Sequence, residues 1–178
     1  WWLVSPGNPL KSAAGMAPLP RRYASALHQA RRSRIRPTTI ESLLGTRYTI
    51  DTLRAIRRLY PKNSFIWMMG ADNLRQFHHW KDWRDIARTM PIAVVFRPGY
   101  HRSAHGTVAM AWLRRFVRPA RQRKTWTQWR TPALVQLRFR PDPRSATQIR
   151  RADPHWYLKP CPIHMRDAVT HRAVPEKE

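Results

Sequence analysis

Phe65-Ile66-Trp67-Met68-Met69-Gly70 is an apolar run of strand length that stops at a glycine. Ala71-Asp72-Asn73-Leu74 follows directly, with the composition of a helix start and an Asp near its beginning. A buried strand that ends in Gly and feeds a short helix is how an open α/β sheet builds a ligand crevice beyond the carboxyl ends of its strands. This segment therefore constrains both the fold and the location of a site.

The rest of the chain fits the same alternation. Trp1 to Ser5 reads as a strand, and Pro6-Gly7-Asn8-Pro9 as a turn followed by Lys11. Pro18 to Arg32 has helical spacing, with Leu19, Tyr23, Ala26, Leu27 and Ala30 on one face. Arg34 to Ile40 is extended. A helix opens at Thr49, in the N-cap position, and ends at Pro61. Strands are expected at Ser64–Met69, Pro91–Arg97 and Ala133–Phe139, with short helices at Asp72–Phe77 and Trp83–Thr89. Strands alternating with helices imply βαβ units. The expected class is α/β: an open, mainly parallel sheet with helices on both faces.

Composition narrows the class further. The chain has 178 residues, enough for one domain with a sizeable core. It has no apolar run of about 18 residues, so no membrane-spanning helix is expected. A single cysteine, Cys161, leaves no partner for an internal disulfide and points to a reducing, cytoplasmic setting. The 34 Lys and Arg face only 10 Asp and Glu, a formal charge of +24. The excess is diffuse: residues 1–99 and residues 100–178 each hold 17 basic and 5 acidic side chains. It favours anionic partners but is silent about fold. Trp1 to Ser5 also reads as a core strand begun in mid-domain, so the chain is expected to be a fragment.

Three clusters can carry chemistry. Arg47-Tyr48-Thr49-Ile50-Asp51-Thr52-Leu53 opens a helix, and a helix start offers free N–H groups to an anion. Read alone, it is equally an ordinary N-cap. Gly70, Asp72, Trp80 and Lys81 form the second cluster. Asp72 can accept from a ribose hydroxyl, and Trp80 offers a flat face to a ring. Trp80 and Trp83, three apart, also suit a plain core stripe. The third is Ser145-Ala146-Thr147-Gln148-Ile149-Arg150, a short helix start with Arg150 one turn on, suited to phosphate. His78 and His79 point different ways on a helix and have no accompanying ligand cluster, so no metal site is expected.

Strand-Gly-x-Asp-x-Leu followed by Phe-x-x-Trp, preceded by Tyr-Thr-x-x-Thr-Leu, resembles the nicotinate-nucleotide adenylyltransferases of NAD synthesis. Ser145, Thr147 and Arg150 fit the C-terminal phosphate motif of that superfamily, although Arg144 stands where its leading Ile belongs. The resemblance runs from Trp1 to about Arg97 and resumes from Ala133 to Arg150. It implies a Rossmann-like nucleotidyltransferase fold over residues 1–152, with a loose C-terminal tail over residues 153–178. It implies adenylyl transfer from ATP to nicotinate mononucleotide, giving deamido-NAD and pyrophosphate, with Mg²⁺ accompanying ATP. In that family the residues matching Thr49, Trp80 and the backbone of Lys81 hold the nicotinate ring and carboxylate. Gly70 and Asp72 belong with that substrate, and Lys11 with its phosphate. The residues matching Ser145, Thr147 and Arg150 bind the ATP phosphates.

The family's Gly-x-Phe-x-Pro-x-His-x-Gly-His motif is not found. The resemblance therefore implies that the first strand and helix are missing, that no catalytic His is present, and that the chain as written is an incomplete copy of doubtful activity. Two alternatives remain at this point. One is a non-catalytic remnant of the enzyme. The other is a basic nucleic-acid-binding module built on Trp112 to Arg130, which carries seven basic residues and no acid, with Phe116, Trp126 and Trp129 interleaved.

Overall fold

The computed structural model describes residues 1–7, 16–96, 106–138, 148, 151–153 and 164–176. The chain divides into two compact units, residues 1–47 with 144–178, and residues 48–143.

In the first unit, β1 (Trp2–Leu3) pairs in parallel with β2 (Pro37–Thr38). Between them runs α1 (Leu19–Ala30), with Pro20 in its first turn, where the missing N–H is harmless. A short α2 (Ile40–Leu44) ends at Gly45, whose φ of 61° is left-handed and suits glycine. The core joins Val4, Leu19, Tyr23, Ala26 and Val174. The apolar face expected for α1 is thus the buried one.

Residues 164–176 carry structure that their composition did not announce in a stretch expected to be a loose tail. Arg166 and Ala173 form an antiparallel bridge. The Tyr23 hydroxyl donates to the Arg166 carbonyl at 3.1 Å and accepts from the Ala168 N–H at 2.6 Å. Asp167 is fully enclosed. It accepts from the Thr39 N–H at 2.5 Å, the Thr39 hydroxyl at 3.1 Å, and the Val169 and Thr170 N–H groups at 2.9 Å each. Enclosure alone would raise the Asp167 pKa. The donors from Thr170, Thr39, Val169 and Thr38 outweigh it and hold the carboxyl below its ordinary value.

The second unit carries a four-stranded parallel sheet in the order β3 (Trp67–Gly70), β4 (Ile92–Phe96), β6 (Leu134–Arg138), β5 (Val117–Arg118). Trp67 pairs with Ile92, and Ile92 with Leu134. The two strands expected at Ser64–Met69 and Pro91–Arg97 are therefore parallel neighbours, as a βαβ unit requires. Their connection contains two short 3₁₀ helices (Ala71–Arg75 and Phe77–His79) and α4 (Trp83–Thr89). α3 (Thr49–Leu59) precedes β3, and α5 (Val108–Leu113) lies between β4 and β5. Ile92, Ala93 and Val94 are buried in succession, the pattern of a strand covered on both faces. Ile50, Leu53 and Ile56 repeat every three residues along α3 and are buried. No helix among the described residues is long and apolar enough to cross a membrane.

Candidate active site

The local backbone around α3 is set by Tyr48 rather than Thr49. Tyr48 is extended and acts as the N-cap. Its carbonyl accepts from the Asp51 and Thr52 N–H groups at 3.0 and 3.1 Å. Thr49 is instead the first helical residue, and no side chain caps the helix. The N–H groups of Thr49 and Ile50 make no hydrogen bond among the described residues. They are donors left over at a positive helix end. Asp51 in the first turn complements that dipole.

Gly70 closes β3, and its place depends on Asp72. A Cβ added at Gly70 would collide with Asp72 Oδ1, so the carboxylate folds back over the glycine. Asp72 is exposed there, at the carboxyl end of the strand. The chain then descends through Phe77, which is fully buried.

Trp80 and Trp83 both pack edge-on against Phe77, at ring separations of 5.4 and 5.8 Å. Their burial differs. Trp83 keeps 8% of its surface and belongs to the core, whereas Trp80 is only half-buried. Trp80 thus retains surface for a ligand ring. Its indole N–H is enclosed and has no partner among the described residues.

Between the two tryptophans the chain reverses at Asp82, whose φ of 47° is left-handed. Asp tolerates that region better than most residues. The Asp82 carbonyl accepts from the Asp85 and Ile86 N–H groups and starts α4. The reversal turns Lys81 toward α3. Lys81 Nζ donates to Asp51 Oδ2 at 3.0 Å and sits 4.8 Å from the Tyr48 ring centre. The Lys81 N–H makes no hydrogen bond among the described residues. The start of α3 and the turn after Trp80 are therefore neighbours. Two segments about thirty positions apart in sequence bring unpaired donors, a cation and an aromatic face together.

Of the residues singled out from sequence, Thr49, Gly70, Asp72, Trp80 and Lys81 all lie in the second unit. Lys11, Ser145, Thr147 and Arg150 lie outside the described residues. Tyr48 and Asp51 also meet Lys81, a contact that the motif alone does not reveal. Their signal is the helix start itself, where an acid in the first turn invites a cation. Trp112 is half-buried against Trp83 at 5.4 Å and Phe116 at 4.9 Å. It serves packing in this unit rather than standing free as a stacking platform.

Comparison with known proteins identifies the family. A cytidylyltransferase-like family profile matches residues 1–152. A protein of Erythrobacter litoralis, named a probable nicotinate-nucleotide adenylyltransferase, is 60% identical over 174 residues, covering 98% of this chain and 80% of the relative. Proteins of the same name from Parvibaculum lavamentivorans and a Bradyrhizobium species are 49% and 41% identical, over 84% and 88% of this chain. They are covered over 75% and 81% of their own lengths. Matches of this extent, on a parallel α/β fold, show that the chain belongs to the nicotinate-nucleotide adenylyltransferases, within the cytidylyltransferase-like nucleotidyltransferases.

Proposed function

We propose that this protein transfers the adenylyl group of ATP to nicotinate mononucleotide. An oxygen of the mononucleotide phosphate attacks the α-phosphorus of ATP. A new P–O bond forms, the bond to the β-phosphate bridging oxygen breaks, and pyrophosphate leaves with its electron pair. Deamido-NAD is the other product. The step needs no covalent enzyme intermediate, so positioning and charge neutralisation supply the rate.

The carrying observation is the approach of Lys81 to the first turn of α3. On this reading Trp80 stacks on the pyridine ring, and Asp72 accepts from a ribose hydroxyl beside Gly70. The free N–H groups of Thr49 and Lys81 receive the nicotinate carboxylate. An amide in place of that carboxylate would lose the charge-assisted part of those bonds. The family resemblance gives Lys11 the mononucleotide phosphate, and Ser145, Thr147 and Arg150 the ATP phosphates.

Among the described residues no group of three His, Cys, Asp or Glu is placed to cage a metal. On this reading a Mg²⁺ ion would accompany the triphosphate, the usual habit of this cation, and neutralise phosphate charge. The nucleic-acid alternative is not favoured, because the relatives that match most of the chain are named nicotinate-nucleotide adenylyltransferases. A cytoplasmic setting suits the single cysteine and the proposed substrates.

The test is product analysis with ATP and each mononucleotide. Deamido-NAD and pyrophosphate should appear in equal amounts, with nicotinate mononucleotide bound more tightly than the nicotinamide form. Equal binding of the two, or none of either, overturns the reading.

A further inference from the structure

A cavity of about 430 Å³ opens in the second unit, away from the residues assigned above. Its lining includes Arg57, Asn63, Trp126, Trp129, Arg130 and Thr131. Phe65 and Pro91, also in the wall, stand just before β3 and β4. Thr131 stands just before β6. The cavity therefore lies at the amino ends of the parallel strands, whereas Gly70 and Asp72 lie at a carboxyl end. Arg57 belongs to the last turn of α3, and Thr49 to its first. A rise of about 1.5 Å per residue separates them by about 12 Å along the helix.

The lining is chemically one-sided. It holds two tryptophans, two arginines and several hydroxyl or amide groups, and no acid. Two walls are fixed. Arg57 Nη1 donates to the Thr89 carbonyl at 3.0 Å, and the Thr131 hydroxyl donates to the Arg88 carbonyl at 2.7 Å. Arg130 is exposed and has no ion pair or hydrogen bond among the described residues, and the side-chain amide of Asn63 has none either. Half-buried indoles accept a planar ring on their faces. Guanidinium groups beside them match a phosphate. The volume falls within the range of small-molecule sites.

We propose that this cavity is a second, non-catalytic site for a mononucleotide, with the base between Trp126 and Trp129 and the phosphate on Arg130 and Arg57. A cavity of this size holds one nucleotide rather than a strand. The site is independent of the adenylyl-transfer reading, since it shares no residue with it.

The test uses the full chain and AMP as probe, followed by the indole N–H resonances in two-dimensional NMR. Trp126→Phe and Trp129→Phe assign the two signals. Both should move and saturate as AMP is added, and should do so equally in Trp80→Ala, which removes the ring contact of the other site. Arg130→Gln should bind AMP roughly tenfold more weakly, the loss of one charge-assisted contact, and adenosine, which loses the contacts to both arginines, should bind the unaltered protein more weakly still. Unmoved Trp126 and Trp129 signals at millimolar AMP overturn the proposal. So does adenosine binding as tightly as AMP. Oligoadenylate affinity that climbs with length would overturn it in favour of a nucleic-acid surface.

Discussion

At the scale of single residues, two positions separate function from packing. Trp80 and Trp83 look alike in sequence, three apart and both on Phe77, and spacing alone cannot divide them. Burial does: one is core, the other half open. Trp80→Ala should weaken nicotinate mononucleotide binding by ~1–3 kcal/mol, the stacking and buried area of one aromatic. Calorimetry decides it, and an unchanged affinity removes the stacking role. Gly70 answers to Asp72 rather than to a special backbone angle. In Gly70→Ala the new methyl pushes the Asp72 carboxylate off its rotamer, at a cost of ~0.5–1.5 kcal/mol. The expected result is a small drop in melting temperature with a larger drop in mononucleotide affinity. A large unfolding effect with intact affinity would contradict it.

Elements were the most legible level, because apolar periodicity reports them directly. The α3 face at Ile50, Leu53 and Ile56, and the continuous apolar run of β4, are patterns that only one burial satisfies. Boundaries were less legible. Thr49 reads as a cap because Ser and Thr favour that position, yet Tyr48 takes it, with its carbonyl rather than its side chain supplying the acceptor. The stretch after Gly70 reads as one short helix and is two 3₁₀ turns. The left-handed residue between Trp80 and α4 was not legible either, since Asp occurs in turns of every kind. It carries a prediction. Asp82→Val should destabilise the second unit by ~1–2 kcal/mol, and Asp82→Gly should not, because only the β-branched side chain meets the left-handed penalty. Matched denaturant titrations of the two variants test it. Equal stability would show that the reversal at Asp82 is not strained.

For the molecule as a whole, the unread part is long-range by nature. No local pattern tells Asp167 that Thr39 will be its partner, 128 positions away. The same holds for the cavity at the amino ends of the strands, whose walls come from four separate stretches. Asp167 gives the first unit a defined pH limit. Its folded pKa lies below the ordinary value of about 3.9. Its stabilising contribution is therefore complete above about pH 4 and fades as pH falls through the folded pKa. Acid unfolding followed by tyrosine absorbance should show that loss, and Asp167→Ala should remove it. The variant leaves the Thr39, Val169 and Thr170 donors unanswered, a cost of ~2–4 kcal/mol at neutral pH. An unaltered acid limb in the variant would assign it to other carboxylates. The bond from Asp167 to Thr39 also has a consequence for biosynthesis. The stretch 48–143 is continuous and leaves the ribosome whole, so it can fold while translation continues. The unit holding Val4, Tyr23 and Val174 must wait for residues made after that stretch. β1 is thus held open until the chain well beyond the second unit has been made.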